Sequence, residues 1–162
     1  MNLVITFSRG YGTGTSIITD ELSKRLDIPV YGKDYICRQV HDPQDREIQN
    51  NIIRELAKKP CIIVGRGASV ALEGQKNVLN IFVYADKEDR IKRIMKKEQI
   101  DRPKAEERIR FVDKERKDYF EKNTGMYWGD VDRFDIILDS SKYGIENCAD
   151  IIMRYLEYHD YI

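Results

Sequence analysis

Leu3-Val4-Ile5-Thr6-Phe7-Ser8-Arg9-Gly10-Tyr11-Gly12-Thr13-Gly14-Thr15-Ser16 runs from a short apolar stretch, through glycines at alternate positions, to hydroxyl residues that open a helix. A strand that turns sharply into a helix in this way presents successive backbone N–H groups to an anion, and the helix N-terminus adds its partial positive charge. Arg9, Gly10, Tyr11, Gly12, Thr13, Gly14, Thr15 and Ser16 are therefore the candidate phosphate-binding residues, and the expected ligand is a nucleotide. Set against G-x-x-x-x-G-K-[ST], the loop places Gly14, Thr15 and Ser16 in the last three positions. Thr15 then replaces the lysine and Arg9 the first glycine. Phosphoryl transfer depends on positioning and charge stabilisation, so cations elsewhere must replace that lysine, or the chemistry is slow or absent.

Outward from this loop, strand-like and helix-like stretches alternate with no repeat, low-complexity tract or linker, which predicts one α/β domain over 1–162. Strands are expected at Leu3 to Phe7, Pro29 to Tyr31, Cys61 to Val64, Val78 to Tyr84 and Asp135 to Asp139. The unbroken Cys61-Ile62-Ile63-Val64 run fits a central parallel strand covered on both faces. Helices are expected at Thr15 to Leu26, Asp34 to Val40, Gln44 to Lys58, Lys87 to Lys97, Lys104 to Lys122 and Gly144 to Tyr158. The third presents Ile48, Ile52 and Leu56 at spacing four as its core face. Right-handed crossovers place helices on both sides of such a sheet, which gives a three-layer sandwich.

Composition bounds the function. At 162 residues and 19.1 kDa the chain can bury about 68–70% of its unfolded surface, enough for a proper core. Lys plus Arg and Asp plus Glu are 28 each, so bulk charge favours neither nucleic acid nor an anionic membrane, and any anion site is local. No apolar run approaches the ~20 residues that span a bilayer, and no secretory signal is visible, so the expected location is the cytoplasm. Cys37, Cys61 and Cys148 are scattered and odd in number, which argues against a disulfide framework or a zinc site. Oligomeric state has no signature in the sequence.

Four segments taken together carry a family resemblance. They are Ile5 to Gly14, Val64-Gly65-Arg66-Gly67-Ala68, Ile109-Arg110-Phe111-Val112-Asp113-Lys114-Glu115-Arg116, and Arg133-Phe134-Asp135-Ile136-Ile137-Leu138-Asp139. In this order the chain resembles the cytidylate kinase-like proteins of the P-loop nucleoside monophosphate kinase group, a branch that also lacks the usual loop lysine. The resemblance implies a P-loop NTPase fold with a five-stranded parallel sheet of order 2-3-1-4-5 and a mobile helical lid at about 98–130. It also implies transfer of a phosphoryl group from ATP, with Mg²⁺, to a small acceptor, CMP first among them. Two departures bear on the acceptor. Tyr31-Gly32-Lys33-Asp34 moves the branch's usual carboxylate along by two, and the acceptor-binding stretch from Cys37 to Lys59 is abbreviated.

Each candidate side chain also has a plainer reading. Ser16 either gives a hydroxyl to Mg²⁺ or serves as an ordinary helix cap. Arg9 either folds over phosphates or pairs with a surface carboxylate. Arg66 leaves the end of a buried strand, where ligands of open α/β sheets collect, and its guanidinium suits the acceptor phosphate better than a structural salt bridge. Arg110, Asp113 and Arg116 recur at three-residue intervals. With the resemblance they read as lid residues for the migrating phosphoryl group, Asp113 orienting an arginine; without it, as a solvated charged helix. Asp34 either helps hold Mg²⁺ and acceptor or caps a helix. Tyr119, Tyr127 and Trp128 offer stacking surfaces for a base or pack in the core. His41 and His159 are isolated and receive no role. The alternative to a phosphotransferase is a non-catalytic nucleotide-binding module, which the missing lysine would suit.

Overall fold

The computed structural model describes residues 2–42 and 45–162. Five parallel strands form one sheet in the order β2-β3-β1-β4-β5: β1 (Val4–Arg9), β2 (Val30–Tyr31), β3 (Cys61–Val64), β4 (Val78–Tyr84) and β5 (Ile136–Asp139). The central β1 pairs with β3 from Val4↔Cys61 to Phe7↔Val64 and with β4 from Val4↔Val78 to Arg9↔Val83. This is the strand order expected from the resemblance.

Successive side chains of a strand point to opposite faces. Leu3, Ile5 and Phe7 enter one core with Ile18 and Leu22 of α1 (Thr15–Leu26) and Cys148, Ile152 and Leu156 of α8 (Ile145–Tyr158). Val4 enters the other with Ile36 of α2 (Lys33–Arg38), Ile53 of α3 (Arg46–Leu56), and Ala68 and Ala71 of α4 (Ala68–Ala71). Both faces of the sheet are thus covered, which completes the three layers.

Between β4 and β5 stand α5 (Lys87–Glu98) and α6 (Arg102–Thr124), followed by a 3₁₀ turn at Val131–Arg133 and, after β5, the short α7 (Ser140–Tyr143). The first two pack through their own small cluster of Ile91, Ile94, Ala105 and Ile109. The caps of α6 are local: the Asp101 side chain accepts from the Lys104 N–H at 3.1 Å, Pro103 occupies the first turn, and Gly125 (φ 67°) ends it.

One expectation needs correction. The most deeply buried residues of α3 are Gln49 and Ile53; of the predicted apolar face, Ile52 and Leu56 are half-buried against the same core as Ile53, while Ile48 is 43% exposed. Asp45 starts the helix by accepting from the Ile48 N–H, and the most deeply buried positions fall one residue later than the spacing suggests. The predicted start, Gln44, lies outside the described residues. Among the described residues no helix is long and apolar enough to cross a membrane.

Candidate nucleotide and acceptor site

Two adjoining cavities open at the carboxyl edge of the sheet, where ligands of open α/β sheets bind. The larger, about 730 Å³, lies between the ends of β1 and β3 and helix α6; Arg9, Asp34, Arg66, Arg116, Tyr119 and Trp128 line it. The second, about 600 Å³, wraps the outer side of the loop and is lined by Gly12, Gly14, Ser16, Arg93, Lys97 and Ile145. Arg9, Tyr11 and Arg116 belong to both.

The loop between β1 and α1 is held by its carbonyls. Arg116 Nη1 donates to the carbonyl of Arg9 at 3.2 Å and Thr13 Oγ1 to that of Gly10 at 3.0 Å. Arg90 Nε donates to Tyr11 at 2.7 Å, Arg93 Nη1 to Gly12 at 3.2 Å and Ser140 Oγ to Thr13 at 2.7 Å. Every carbonyl from residue 9 to 13 therefore accepts from a side chain. In a trans peptide the C=O of one residue and the N–H of the next point in opposite directions. Fixing the carbonyls of Tyr11, Gly12 and Thr13 on the protein side consequently turns the N–H groups of Gly12, Thr13 and Gly14 away from it.

Among the described residues, the backbone N–H groups from Gly12 to Ser16 donate to no other protein group. Gly14 is the N-cap of α1 at φ 78°, and the first turn carries no acidic residue to compete for the helix dipole. Glycine also admits the neighbours: a Cβ on Gly14 would lie 2.3 Å from Ile145 Cδ1. Thr13 and Thr15 are buried, their hydroxyls 2.9 Å apart, so both contribute amides rather than side chains. The lysine position is thus filled by a hydroxyl turned into the loop's interior.

Positive charge enters from elsewhere. Arg9, Arg66 and Arg116 converge on the larger cavity, and among the described residues none has a carboxylate within ion-pair distance. Burial, then the charges of Arg116 and Arg66, pushes the Arg9 guanidinium down to about 9. Burial also lowers Arg116. Three cations around one space favour an anion there, which relieves both the desolvation and the repulsion, although Asp113 offsets part of the charge on Arg9 and Arg116. Arg66 has φ 56°, between Gly65 at 75° and Gly67 at 66°. A non-glycine residue held there costs about 1–3 kcal/mol and is characteristic of functional turns. Its guanidinium lies 3.6 Å over the Tyr119 ring, whose hydroxyl donates to Gln49 Oε1 at 2.9 Å, so α3 and α6 together brace it.

The remaining candidates are also placed. Ser16 is exposed at the start of α1 and makes no cap, and α2 is capped by Gly32 without a side-chain bond, so neither Ser16 nor Asp34 is spent on capping. Both are oxygen donors at the cavities, and an exposed hydroxyl beside the loop suits Mg²⁺, a hard cation that keeps most of its waters. Asp113 accepts from the Tyr11 N–H at 2.7 Å and pairs with Arg90. Trp128 lines the cavity against Phe82, whereas Tyr127 is 65% exposed.

Arg110 is the correction: it is exposed and lines neither cavity. Two three-residue steps along a helix rotate by roughly 120° away from the starting side chain, so Arg110 and Arg116 cannot face one site together. Sequence reading also missed Arg90, Arg93 and Ser140. The only sequence signal for the first two is a pair of arginines three apart in the helix that follows β4.

A family model described as the cytidylate kinase-like family matches residues 37–142. The cytidylate kinase of Methanocaldococcus jannaschii is 25% identical over 174 residues, covering 96% of this chain and 98% of that one. The crystal structure of an uncharacterized protein from Eubacterium ventriosum matches with a TM-score of 0.91 at 29% identity, over 96% of this chain and 98% of its own. The shikimate kinase of Bacteroides thetaiotaomicron has the same fold, with a TM-score of 0.62 at 18% identity over 96% and 98% of the two chains.

Proposed function

The chain belongs to the cytidylate kinase-like family, and on that premise we propose that it transfers the γ-phosphoryl group of ATP to a nucleoside monophosphate, CMP first among acceptors. Kinase chemistry on a nucleotide or other small molecule is the coarser statement that family and fold support. One observation carries the finer reading. A loop with its carbonyls tied down and its amides directed outward adjoins a cavity where three guanidiniums meet without a carboxylate partner.

In this reading the Gly12–Ser16 amides hold the donor phosphates from the second cavity. Ser16 would hold Mg²⁺, which would supply positive charge beside the donor phosphates. Arg66, braced on Tyr119, grips the acceptor phosphate with Arg9 beside it, and Asp34 faces the acceptor across the cavity. Arg116 lines both cavities and so stands where the migrating group passes. Closure of α5 and α6 excludes water, which strengthens each of these contacts and protects the group from hydrolysis. The acceptor oxygen attacks phosphorus directly, and no covalent enzyme intermediate is needed.

An ADP-release assay with CMP, dCMP, UMP, AMP and small non-nucleotide alcohols tests the proposal. Acceptor-dependent ADP formation with a nucleoside monophosphate is the expected result. ATP binding with no turnover across the panel would instead assign a non-catalytic nucleotide-binding module.

A further inference from the structure

Tyr11 is the residue of the loop whose N–H and C=O are both held by side chains. Asp113 Oδ1 accepts its N–H at 2.7 Å, Arg90 Nε donates to its carbonyl at 2.7 Å, and Arg90 Nη2 pairs with Asp113 Oδ2 to close the ring. Loop, α5 and α6 meet at this ring, through residues 79 and 102 positions apart in sequence. The pair is mostly enclosed, with side-chain exposures of 18% and 25%. The guanidinium lies directly against the loop: a Cβ on Gly10 would stand 3.0 Å from Arg90 Nη2.

Arg90 lines neither cavity, so it touches no reactant. Its effect is on the peptide plane it holds. Because the Tyr11 carbonyl and the Gly12 N–H belong to one trans peptide, anchoring the first aims the second. Asp113 does the opposite to the preceding plane, drawing the Tyr11 N–H toward the lid, so the run of outward amides begins at Gly12.

We infer that Arg90, locked by Asp113, is a positioning residue that aims the first phosphate-binding amide of the loop, and that α5 and α6 thereby set the loop's affinity for the donor triphosphate. A lysine in the usual place would reach the phosphates from within the loop. Here an arginine from another helix supports the loop from behind and leaves the phosphates to the amides and the cavity arginines. The inference rests on the phosphotransferase reading, in that it takes the second cavity as the donor site.

A charge-neutral double variant separates positioning from electrostatics. Arg90→Ala with Asp113→Asn removes one positive and one negative charge, so the net charge beside the loop is unchanged. The binding of ATP and of adenosine is measured by titration calorimetry for the wild type, Arg90→Ala, Arg90→Lys and the double variant, with circular dichroism to verify folding. If the ring positions the amide, the double variant still binds ATP at least tenfold more weakly than the wild type, and adenosine, which has no phosphates, binds within twofold of the wild type. Arg90→Lys, which keeps the charge but has a single nitrogen, also loses ATP affinity and covers the case in which Arg90→Ala does not fold. Wild-type ATP affinity in the double variant, or equal losses for ATP and adenosine, would overturn the inference while leaving the proposed function standing. A wild-type chain that binds no ATP would overturn both.

Discussion

Replacing Arg116 with alanine removes one of the two arginines, with Arg9, that line both cavities. Its guanidinium is largely enclosed, donates to the Arg9 carbonyl at 3.2 Å and sits 5.4 Å from the Tyr11 ring. A unit charge about 4 Å from a phosphoryl oxygen, in the effective dielectric of about 20 that suits such sites, contributes about 4 kcal/mol. Part of that is felt equally by bound ATP and does not speed the reaction. With about 3 kcal/mol of it specific to the transition state, kcat falls on the order of 10²-fold at about 1.4 kcal/mol per decade. Arg9, Arg66 and the loop amides remain, so the KM for ATP should move less than about tenfold, the pattern of an interaction made mainly in the transition state. Steady-state ADP release at varied ATP and saturating acceptor reads both constants. Equal losses in kcat and ATP affinity, or a kcat within a few-fold of the wild type, would refute the assignment.

Gly14→Ala forces a methyl group to 2.3 Å from Ile145 Cδ1 at a backbone φ of 78°. Strain at such a position costs about 1–3 kcal/mol, so a thermal melt should show a clear loss of Tm together with weakened nucleotide binding. The Arg9 guanidinium, lowered by burial to about 9, makes anion binding pH-dependent. A bound phosphate favours the protonated form, so phosphomonoester affinity should be flat up to about pH 8 and fall up to about tenfold per unit above pH 9. The ligand-free fold behaves oppositely: its folded pKa lies below the unfolded value, so this group's contribution to stability rises with pH above about 9. Calorimetric titrations and denaturant melts across pH 7–10 check both signs. Burial pushes the Cys61 and Cys148 thiols up to about 11, so a thiol reagent at neutral pH should label the half-buried Cys37 first and leave those two intact until unfolding.

The fold was legible where both faces of an element are buried. The apolar runs of β1 and β3 admit few other readings, and the alternation of Leu3, Ile5 and Phe7 with Val4 divides between two cores as a central strand must. Legibility failed where one residue of phase decides the outcome. The α3 stripe at Ile48, Ile52 and Leu56 is only partly what the core takes: Ile52 and Leu56 pack at its margin, Ile48 is exposed, and Gln49 and Ile53 are the buried positions. The four-residue helices α4 and α7 are too short for any periodic signal and form through tertiary packing.

The site divided in the same way. Gly12 to Ser16, Arg66 and Arg116 announce themselves by position in a motif, and each lies at the cavities. Arg90, Arg93 and Ser140 act by accepting a place beneath carbonyls that belong to a distant segment, and such contacts leave no spacing to read. Arg110 shows the converse: a regular interval placed it on a face that rotation of the helix carries out to solvent.

In the proposed function, outward-facing amides take the place of an ammonium group at the donor phosphates. Backbone ¹H–¹⁵N correlation spectra of the labelled chain, recorded while ATP is added, report those amides one by one. The predicted result is a set of large downfield proton shifts at Gly12, Thr13, Gly14, Thr15 and Ser16, much smaller when adenosine replaces ATP. Saturation with ATP that leaves these five resonances unmoved while others shift would contradict it.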